Sequence, residues 1–151
     1  MRLSAKADYA LRASVELAGS AAGPMKADAI ARAQDIPQRF LEQILLDLKH
    51  AGLVSSQRGA EGGYWLAKPA AEIPLADVIR AVEGPLANVR NQRPEELEYI
   101  GSAKPLQDVF IALRANIRAV LEEVTLADVA AGELPERVRE LAGDGDAWAP
   151  H

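Results

Sequence analysis

Apolar residues recur at three- and four-residue steps in the first third of the chain, a spacing typical of amphipathic helices. The pattern predicts a first helix over about residues 5–18, with Ser4 as its N-cap residue. A second, shorter helix is predicted over about residues 26–33, where Ile30 is the only large apolar residue. Its brevity is typical of the first helix of a helix-turn-helix motif.

A third helix is predicted from Pro37, which suits the first turn of a helix, up to Gly52. One side of this helix is apolar and is expected to face the core; its residues are Phe40, Leu41, Ile44, Leu45 and Leu48. The opposite side is polar, and helix-turn-helix proteins place base contacts in the N-terminal turn of such a helix. The spacing of the second and third helices suits that motif, although many small helical proteins have two helices this close.

Two short strand-like runs, residues 53–54 and 64–66, follow the third helix directly. The segment between them carries Arg58, and its glycines permit the positive φ angles of a hairpin turn. A helix pair followed at once by a glycine-tipped hairpin is an order that few other folds need. The sequence therefore predicts the wing of a winged helix-turn-helix domain, in which Arg58 reaches a groove or phosphate and Gly59 lets the backbone approach closely.

The second half of the chain begins with a short predicted helix over residues 75–82, which ends at Gly84 and closes the winged domain. Residues 85–103 lack sustained periodicity and are interpreted as a long irregular connector. A fifth helix begins near Pro105 and carries apolar residues at helical steps for about five turns. We interpret its apolar stripe as a dimerisation surface, made by Val109, Phe110, Leu113, Ile117, Val120, Leu121 and Val124. The alternative is that this helix folds back on its own winged domain.

The predicted fold class is mainly α with a small β-hairpin: a winged helix-turn-helix domain plus a long dimerisation helix. We expect the DNA-binding domain to span residues 1–84, the connector and possible sensor loop 85–103, and the dimerisation helix 104–130. Residues 131–151 are expected to hold a C-terminal helix, around residues 135–141, and a mobile tail.

Composition is that of an ordinary globular protein, since 49% of the 151 residues are apolar and 26% are charged. There is no cysteine, which excludes disulfides, thiolate metal sites and cysteine redox sensing. No run approaches the ~20 apolar residues of a membrane span. The first residues are charged and lack the apolar region of a secretory signal, so we expect a cytoplasmic protein that makes no membrane contact.

Charge is distributed unevenly along the chain. The formal net charge of −5 divides into +2 over residues 1–69 and −7 over residues 70–151. This division is compatible with a DNA-facing first half and a solvated or partner-facing second half. A net charge of +2 is too small to establish DNA binding by itself.

No catalytic or metal-binding constellation is visible in the sequence. The two histidines are His50, at the end of the third helix, and His151. No glycine-rich loop follows a strand and opens a helix, so the usual nucleotide-binding motifs are unsupported. Acidic residues cluster in the connector, but without histidine neighbours they are interpreted as solvated charge runs. We therefore predict no enzyme, no metal site and no cofactor.

The chemistry that is present suits contact with DNA. Six basic residues are candidates for neutralising phosphates: Lys6, Lys26, Arg39, Lys49, Arg58 and Lys68. On the third helix, Gln38, Arg39 and Gln43 can donate to base edges. Glu42 on the same face can accept from a cytosine amino group or repel a phosphate, which would restrict the sites that bind. Any one of these residues could instead be a solvated polar side chain.

These motifs resemble those of the IscR/NsrR/CymR (Rrf2) family of winged helix-turn-helix regulators. The resemblance rests on the opening residues 1–12, on Phe40-Leu-Glu-Gln-Ile-Leu, on the wing from Gly52 to Tyr64, and on Leu66-Ala-Lys-Pro69. It continues through Ile73-Pro-Leu-Ala-Asp-Val-Ile and the later long helix, and it covers residues 1 to about 130.

The resemblance implies a homodimeric transcription regulator, usually a repressor, whose third helix lies in the major groove of a palindromic operator. By position it assigns the groove contacts to Gln38, Arg39 and Phe40, selectivity to Glu42, and the wing contacts to Arg58 and Gly59. Several members of the family hold an iron–sulfur cluster through connector cysteines, and some add an acidic ligand near Asp8. This chain departs from that pattern because it has no cysteine.

We therefore expect a cluster-free repressor whose effector, a small molecule or a protein, acts near the connector and the long helix. An alternative is a winged-helix protein–protein interaction module that has lost operator binding, which the acidic net charge favours.

Overall fold

The structure is a computed structural model that describes residues 1–20 and 22–151. The helices and strands follow one another in this order: α1 (Ala5–Gly19), α2 (Ala27–Gln34), α3 (Gln38–His50), β1 (Val54–Gln57), β2 (Gly63–Leu66), α4 (Leu75–Glu83), α5 (Leu106–Leu121), α6 (Leu126–Ala131) and α7 (Glu136–Gly143). Short 3₁₀ turns lie at Ala70–Glu72, Pro94–Glu96, Gly101–Ala103 and Gly145–Trp148. The predicted class, mainly α with one small hairpin, is confirmed.

The residues just before α1 and α3 determine where these two helices begin. Ser4 caps α1, because its hydroxyl oxygen accepts a hydrogen bond of 3.0 Å from the backbone N–H of Ala7. Pro37 was expected inside α3 but is its N-cap residue. Its extended ψ of 123° places it outside the helix, while its carbonyl accepts the first bonds, from Phe40 and Leu41.

One core lies between α1, α2, α3, α4 and α6. The large side chains that are almost fully buried there include Ile30, Leu41, Leu45, Leu48 and Leu126. The predicted apolar stripe of α3 is therefore confirmed for its leucines and for Ile44, but Phe40 is 46% exposed. Phe40 stands in the first turn of α3, where its ring packs beside Tyr9 rather than entering the core.

The hairpin is antiparallel, and its register pairs Val54 with Leu66 and Gln57 with Gly63. Both strands are longer than the runs predicted from strand-forming residues, because the ladder continues through Ser55, Ser56 and Gln57. A third backbone segment joins the sheet at Met25, which exchanges two hydrogen bonds with Tyr64, of 2.9 and 2.8 Å. The approach to α2 is thereby attached to the wing.

The chain returns to the winged domain after α5. Val124 is only 3% exposed, its carbonyl accepts a bond of 2.9 Å from the N–H of Leu75, and Leu126 bonds back to Ile73. Val124 was expected on the dimerisation stripe, but α5 ends at Leu121 and Val124 is buried in its own domain. The helix α6 therefore completes the core of the winged domain instead of extending the long helix.

Candidate nucleic-acid interface

The middle of α3, at Glu42 and Lys49, and the tip of the wing stand on the two sides of an open cleft of about 480 Å³. Helix α3 presents five exposed side chains near its start, the predicted contacts Gln38, Arg39, Phe40, Glu42 and Gln43. The wing brings exposed Arg58 and Gly59 to the opposite side. Of the predicted groove contacts, Glu42 lines this cleft together with Arg58 and Gly59 of the wing. The other four are exposed on α3 but do not line it.

Arg39 is held by a stack of aromatic and cationic groups that sequence reasoning did not find. Its guanidinium carbon lies 4.7 Å from the centre of the Phe40 ring. The Phe40 ring lies 6.3 Å from that of Tyr9, over which Arg12 stands at 4.9 Å. Such contacts are favourable because the face of an aromatic ring is electronegative. The Phe40 ring therefore favours this direction of the exposed Arg39 side chain, and Tyr9 of α1 supports the first turn of α3.

Gln43 is oriented by a second link between α1 and α3. Its amide nitrogen donates to one oxygen of Asp47 at 3.0 Å, and Lys6 holds the other oxygen at 2.7 Å. The hydrogen bond from Lys6 lowers the pKa of Asp47 below its ordinary value, and the bond from Gln43 acts in the same direction. Lys6, predicted to neutralise a phosphate, is thus engaged within the protein.

The wing tip is built on glycines that no other residue could replace without strain or collision. Gly59 has a φ of +104°, in the region that L side chains rarely adopt. A Cβ on Gly62 would lie 2.0 Å from the carbonyl oxygen of Gln57, and one on Gly63 would lie 2.6 Å from that of Met25. The glycines therefore fix the close turn that exposes Arg58.

Two further lysines predicted as phosphate contacts reach across to the wing. Lys49, in the last turn of α3, donates to the Ser56 hydroxyl at 2.8 Å, and Lys26 donates to the Gly59 carbonyl. These pairs are seven and 33 residues apart in the chain. No local pattern in the sequence marks them, since they depend on how the hairpin packs. Lys68 is exposed beyond β2.

The surroundings of α5 differ from those of α3, because α5 has no buried residue. Among its predicted dimerisation residues, Val109 and Leu113 are 55% and 40% exposed. Ile117 and Leu121 pack against Ile79 and its neighbours in α4, as the folding-back alternative required. Phe110 is half-buried beside the Tyr99 ring, at 6.3 Å, and Val120 is half-buried. The helix is therefore attached along one side and open along another.

The connector is more ordered than its sequence indicates. Arg90 and Asn91 both have positive φ, and Val89 and Gln92 exchange backbone bonds on either side of them, which is the geometry of a tight hairpin turn. Gln107 of α5 donates to three connector carbonyls, the shortest bond being 2.9 Å to Leu97. The possible sensor loop is thus fastened to α5.

A charge network joins α4 to α5. The Arg80 guanidinium bonds to Glu122 at 2.5 Å and to Asp77 at 3.3 Å, and Arg118 bonds to the same Glu122 oxygen at 2.9 Å. The hydrogen bond from Arg118 and then that from Arg80 lower the pKa of Glu122. A movement of α5 would therefore alter the contacts of Arg80 in α4, and so reach the winged domain.

The sequence profile of a family described as Rrf2, iron-dependent transcriptional regulator, matches residues 3–132. The chain belongs to the Rrf2 family. It is similar to a Mycobacterium tuberculosis H37Rv protein named provisionally as the HTH-type transcriptional regulator Rv1287, with 55% identity over 95% of this chain and 90% of that protein. It is also 37% identical to the HTH-type transcriptional regulator CymR of Bacillus subtilis, over 86% of this chain and 90% of CymR.

Solved structures of regulators from the Rrf2 family have the same fold. The structure of B. subtilis CymR, described as the global cysteine regulator, superposes with a TM-score of 0.74 at 34% identity, over 87% of this chain and 98% of CymR. That of T. potens IscR has a TM-score of 0.71 at 30% identity, over 100% of this chain and 94% of IscR. This Rrf2 protein is therefore a winged-helix transcription regulator, and its relatives are regulators rather than enzymes.

The iron dependence in the family's description raises the question of a metal centre. Iron–sulfur clusters are held by cysteine thiolates, and this Rrf2 protein has none among its 151 residues. Within residues 1–20 and 22–151, no three His, Asp or Glu side chains come together in a way that could hold a metal ion. The donor set does not fit a cluster. Across the same residues, no helix is long and apolar enough to cross a membrane.

Proposed function

We propose that this Rrf2 protein is a cytoplasmic, homodimeric repressor that binds a palindromic operator in double-stranded DNA without an iron–sulfur cluster. The observation that carries the proposal is the exposed polar side of α3 next to the glycine-tipped wing, with Glu42 of α3 and Arg58 of the wing lining one cleft. Each subunit would insert α3 in the major groove and place the wing tip at the neighbouring minor groove.

The orientation of the polar groups supports sequence-specific reading. Arg39 rests over the Phe40 ring, and a guanidinium with a favoured direction suits bidentate bonding to guanine. Gln43 has one amide hydrogen directed to Asp47, so its carbonyl oxygen is available to a donor on a base edge. Glu42, in the same cleft, would disfavour any approach that brings a phosphate near it.

The proposed dimer rests on the open side of α5. Val109 and Leu113 are large, exposed and on one face of the helix, and a second copy of the chain would cover them around a two-fold axis. A two-fold dimer presents two recognition helices in opposite directions, and this is why a palindromic operator is expected. The connector, fastened to α5, is where an effector would change the angle between subunits.

A selection of bound DNA sequences, followed by footprinting on the selected site, tests the proposal. The expected result is protection of a palindrome at moderate salt, with two half-sites about one helical turn or a multiple of it apart. Failure to bind any selected sequence would reject the proposed function. Repression is tested separately, by placing the selected site in a promoter and measuring transcription with and without the protein.

A winged-helix interaction module without operator binding is the second candidate, favoured by the net charge of −7 over residues 70–151. Replacing Arg39 and Arg58 by alanine distinguishes the two. For a DNA-binding protein, the double variant should bind at least tenfold more weakly and with a smaller salt slope, as expected for lost phosphate and base contacts. Arg137→Ala, on the exposed helix α7, is the control with one cation removed elsewhere.

A further inference from the structure

Lys26 occupies an unusual position for a residue expected to contact phosphate. It is the N-cap residue of α2, yet its side chain makes no cap and the residue is exposed. Its ammonium group instead donates to the carbonyl of Gly59, at the tip of the wing. The side chain thus joins the start of the helix-turn-helix to the wing turn.

The carbonyl that Lys26 meets is the one that closes the turn. Gly59 also accepts a hydrogen bond of 3.1 Å from the backbone N–H of Gly62. A carbonyl oxygen has two lone pairs, and the two donors occupy both of them. Gly59 directly follows Arg58, so holding the Gly59 carbonyl restrains the turn that begins immediately after the Arg58 residue.

The base of the same attachment is made by the main chain. Met25, next to Lys26, exchanges two hydrogen bonds with Tyr64, and the absence of a side chain on Gly63 lets the Met25 carbonyl approach β2. The hydrogen bond from Lys26 to the Gly59 carbonyl adds a second point of attachment, at the free end of the hairpin. The other hydrogen bond to the Gly59 carbonyl, among the residues that the structure describes, is the one from the Gly62 N–H within the turn.

We propose that Lys26 is a positioning residue for the wing, acting on DNA through Arg58 and not through a phosphate of its own. The inference rests on the proposed DNA-binding function. It differs from a phosphate contact in a measurable way, because a phosphate contact contributes independently of the wing, whereas a positioning residue has no effect once the wing contact is gone.

The test is a double-mutant cycle with K26M and R58A, measured on the selected operator over a range of salt concentrations. The expected result is that K26M alone weakens binding about as much as R58A, of the order of tenfold for one such contact. In the R58A background, K26M should change neither the affinity nor the salt slope. K26R, which keeps the donor and the charge, should restore binding.

Additive losses, together with a fall of about 0.9 in the salt slope on adding K26M to R58A, would overturn the proposal in favour of a direct phosphate contact. No loss in R58A would also overturn it, because the wing would not be contacting DNA. K68M is the control, since it removes one exposed lysine of the same domain. It should be additive with R58A.

Hydrogen exchange of the free protein provides a second measurement that needs no DNA. K26M should increase exchange of the Gly62 amide, which bonds to the Gly59 carbonyl, while the thermal unfolding midpoint stays unchanged. Unchanged Gly62 exchange would overturn the proposal. Wild-type protein that binds no selected DNA sequence would reject the proposed function instead, and the exchange result would still report on the tie.

Discussion

The winged domain and helix α5 have similar spacings of apolar residues, but these residues are buried in the winged domain and at least partly exposed in α5. Leu41, Leu45 and Leu48 of α3 are at most 1% exposed, whereas α5 contains no buried residue at all. The winged domain is closed by its own chain, since α6 returns to complete its core. Helix α5 packs against the winged domain on one side only, and its other side leaves large apolar side chains exposed. The surface proposed to read DNA is therefore supported within one chain, whereas the surface proposed for assembly is left uncovered by it.

The two regions meet at a narrow junction, which makes the difference useful for regulation. Ile117 and Leu121 contact α4, and Arg80 links α4 to Glu122. A change in how α5 packs would pass through this junction to the domain that carries α3. Substitutions in the winged domain, on the open face of α5 and at the junction should therefore have different effects on stability and assembly.

The largest effect is expected from Leu45→Ala, which opens a cavity in the core of the winged domain. Leu45 is fully buried, so the loss in the free energy of unfolding should be about 2–5 kcal/mol. Leu46→Ala, at a position 42% exposed on the same helix, should cost less than about 1 kcal/mol. Urea unfolding followed by circular dichroism measures both. Equal losses would mean that α3 does not face the core as described.

The next largest effect is expected from Leu113→Glu, which places a charge on the open face of α5. In the proposed dimer this carboxylate would be buried without a partner, a cost of several kcal/mol that should convert the dimer to a monomer. The winged domain should keep its stability, because Leu113 is 40% exposed and outside its core.

The matched control for Leu113→Glu is Ala115→Glu, about 200° around the same helix, where the same charge should leave the dimer intact. Light scattering with size-exclusion chromatography measures the mass of each variant. Dimers of both variants at micromolar concentration would remove α5 from the proposed interface.

Sequence patterns predicted the winged domain well because its determinants are local. Ser4 caps a helix, and Gly59, Gly62 and Gly63 define a turn, whatever lies elsewhere in the chain. The errors occur where a contact between distant segments decides the outcome. Val124 continues the apolar spacing of α5, but its carbonyl accepts a hydrogen bond from Leu75 at the start of α4. The spacing of apolar residues does not predict that contact.

The predicted contact residues show the same limit. Their exposure follows from the polar face of α3, but their orientation depends on Asp47 and Tyr9, which lie on other turns or helices. Lys26 was predicted as a contact from its charge alone, and the tie to Gly59 adds a structural role that the sequence does not reveal. The site residues remain predictions about DNA until the selected operator is measured.

A smaller effect is expected at the junction, from removing the bond between Arg80 and Glu122. Both side chains are about one-third exposed, so the pair should contribute only about 0.2–1 kcal/mol. A double-mutant cycle with Arg80→Ala and Glu122→Gln measures this contribution by urea unfolding. The exposed pair of Arg32 and Asp28, on α2, is the control, and it should show a coupling at the low end of that range. A junction coupling of zero would indicate that apolar contacts alone attach α5.

The smallest effect is expected in the pH dependence of the winged domain, through Asp47. Its pKa is lowered in the folded protein by the bond from Lys6, from an ordinary value of 3.8. The contribution of ionised Asp47 to stability is therefore complete above that ordinary value and is lost as the pH falls through the lowered folded pKa.

Lys6→Met should raise the pKa of Asp47 and thus flatten this part of the acid unfolding curve, while Lys68→Met should leave the curve as in the wild type. Titration of the Asp47 carboxyl carbon by NMR, from pH 6 down to about 2 to span the range below its ordinary pKa, measures the shift in each variant. Since the ion pair joins Lys6 of α1 to Asp47 of α3 and Leu113 of α5 is not part of it, the Leu113→Glu monomer should titrate at Asp47 as the proposed dimer does. A different Asp47 titration in that monomer would show that α3 responds to the state of α5, and the winged domain would then no longer be independent of its assembly surface.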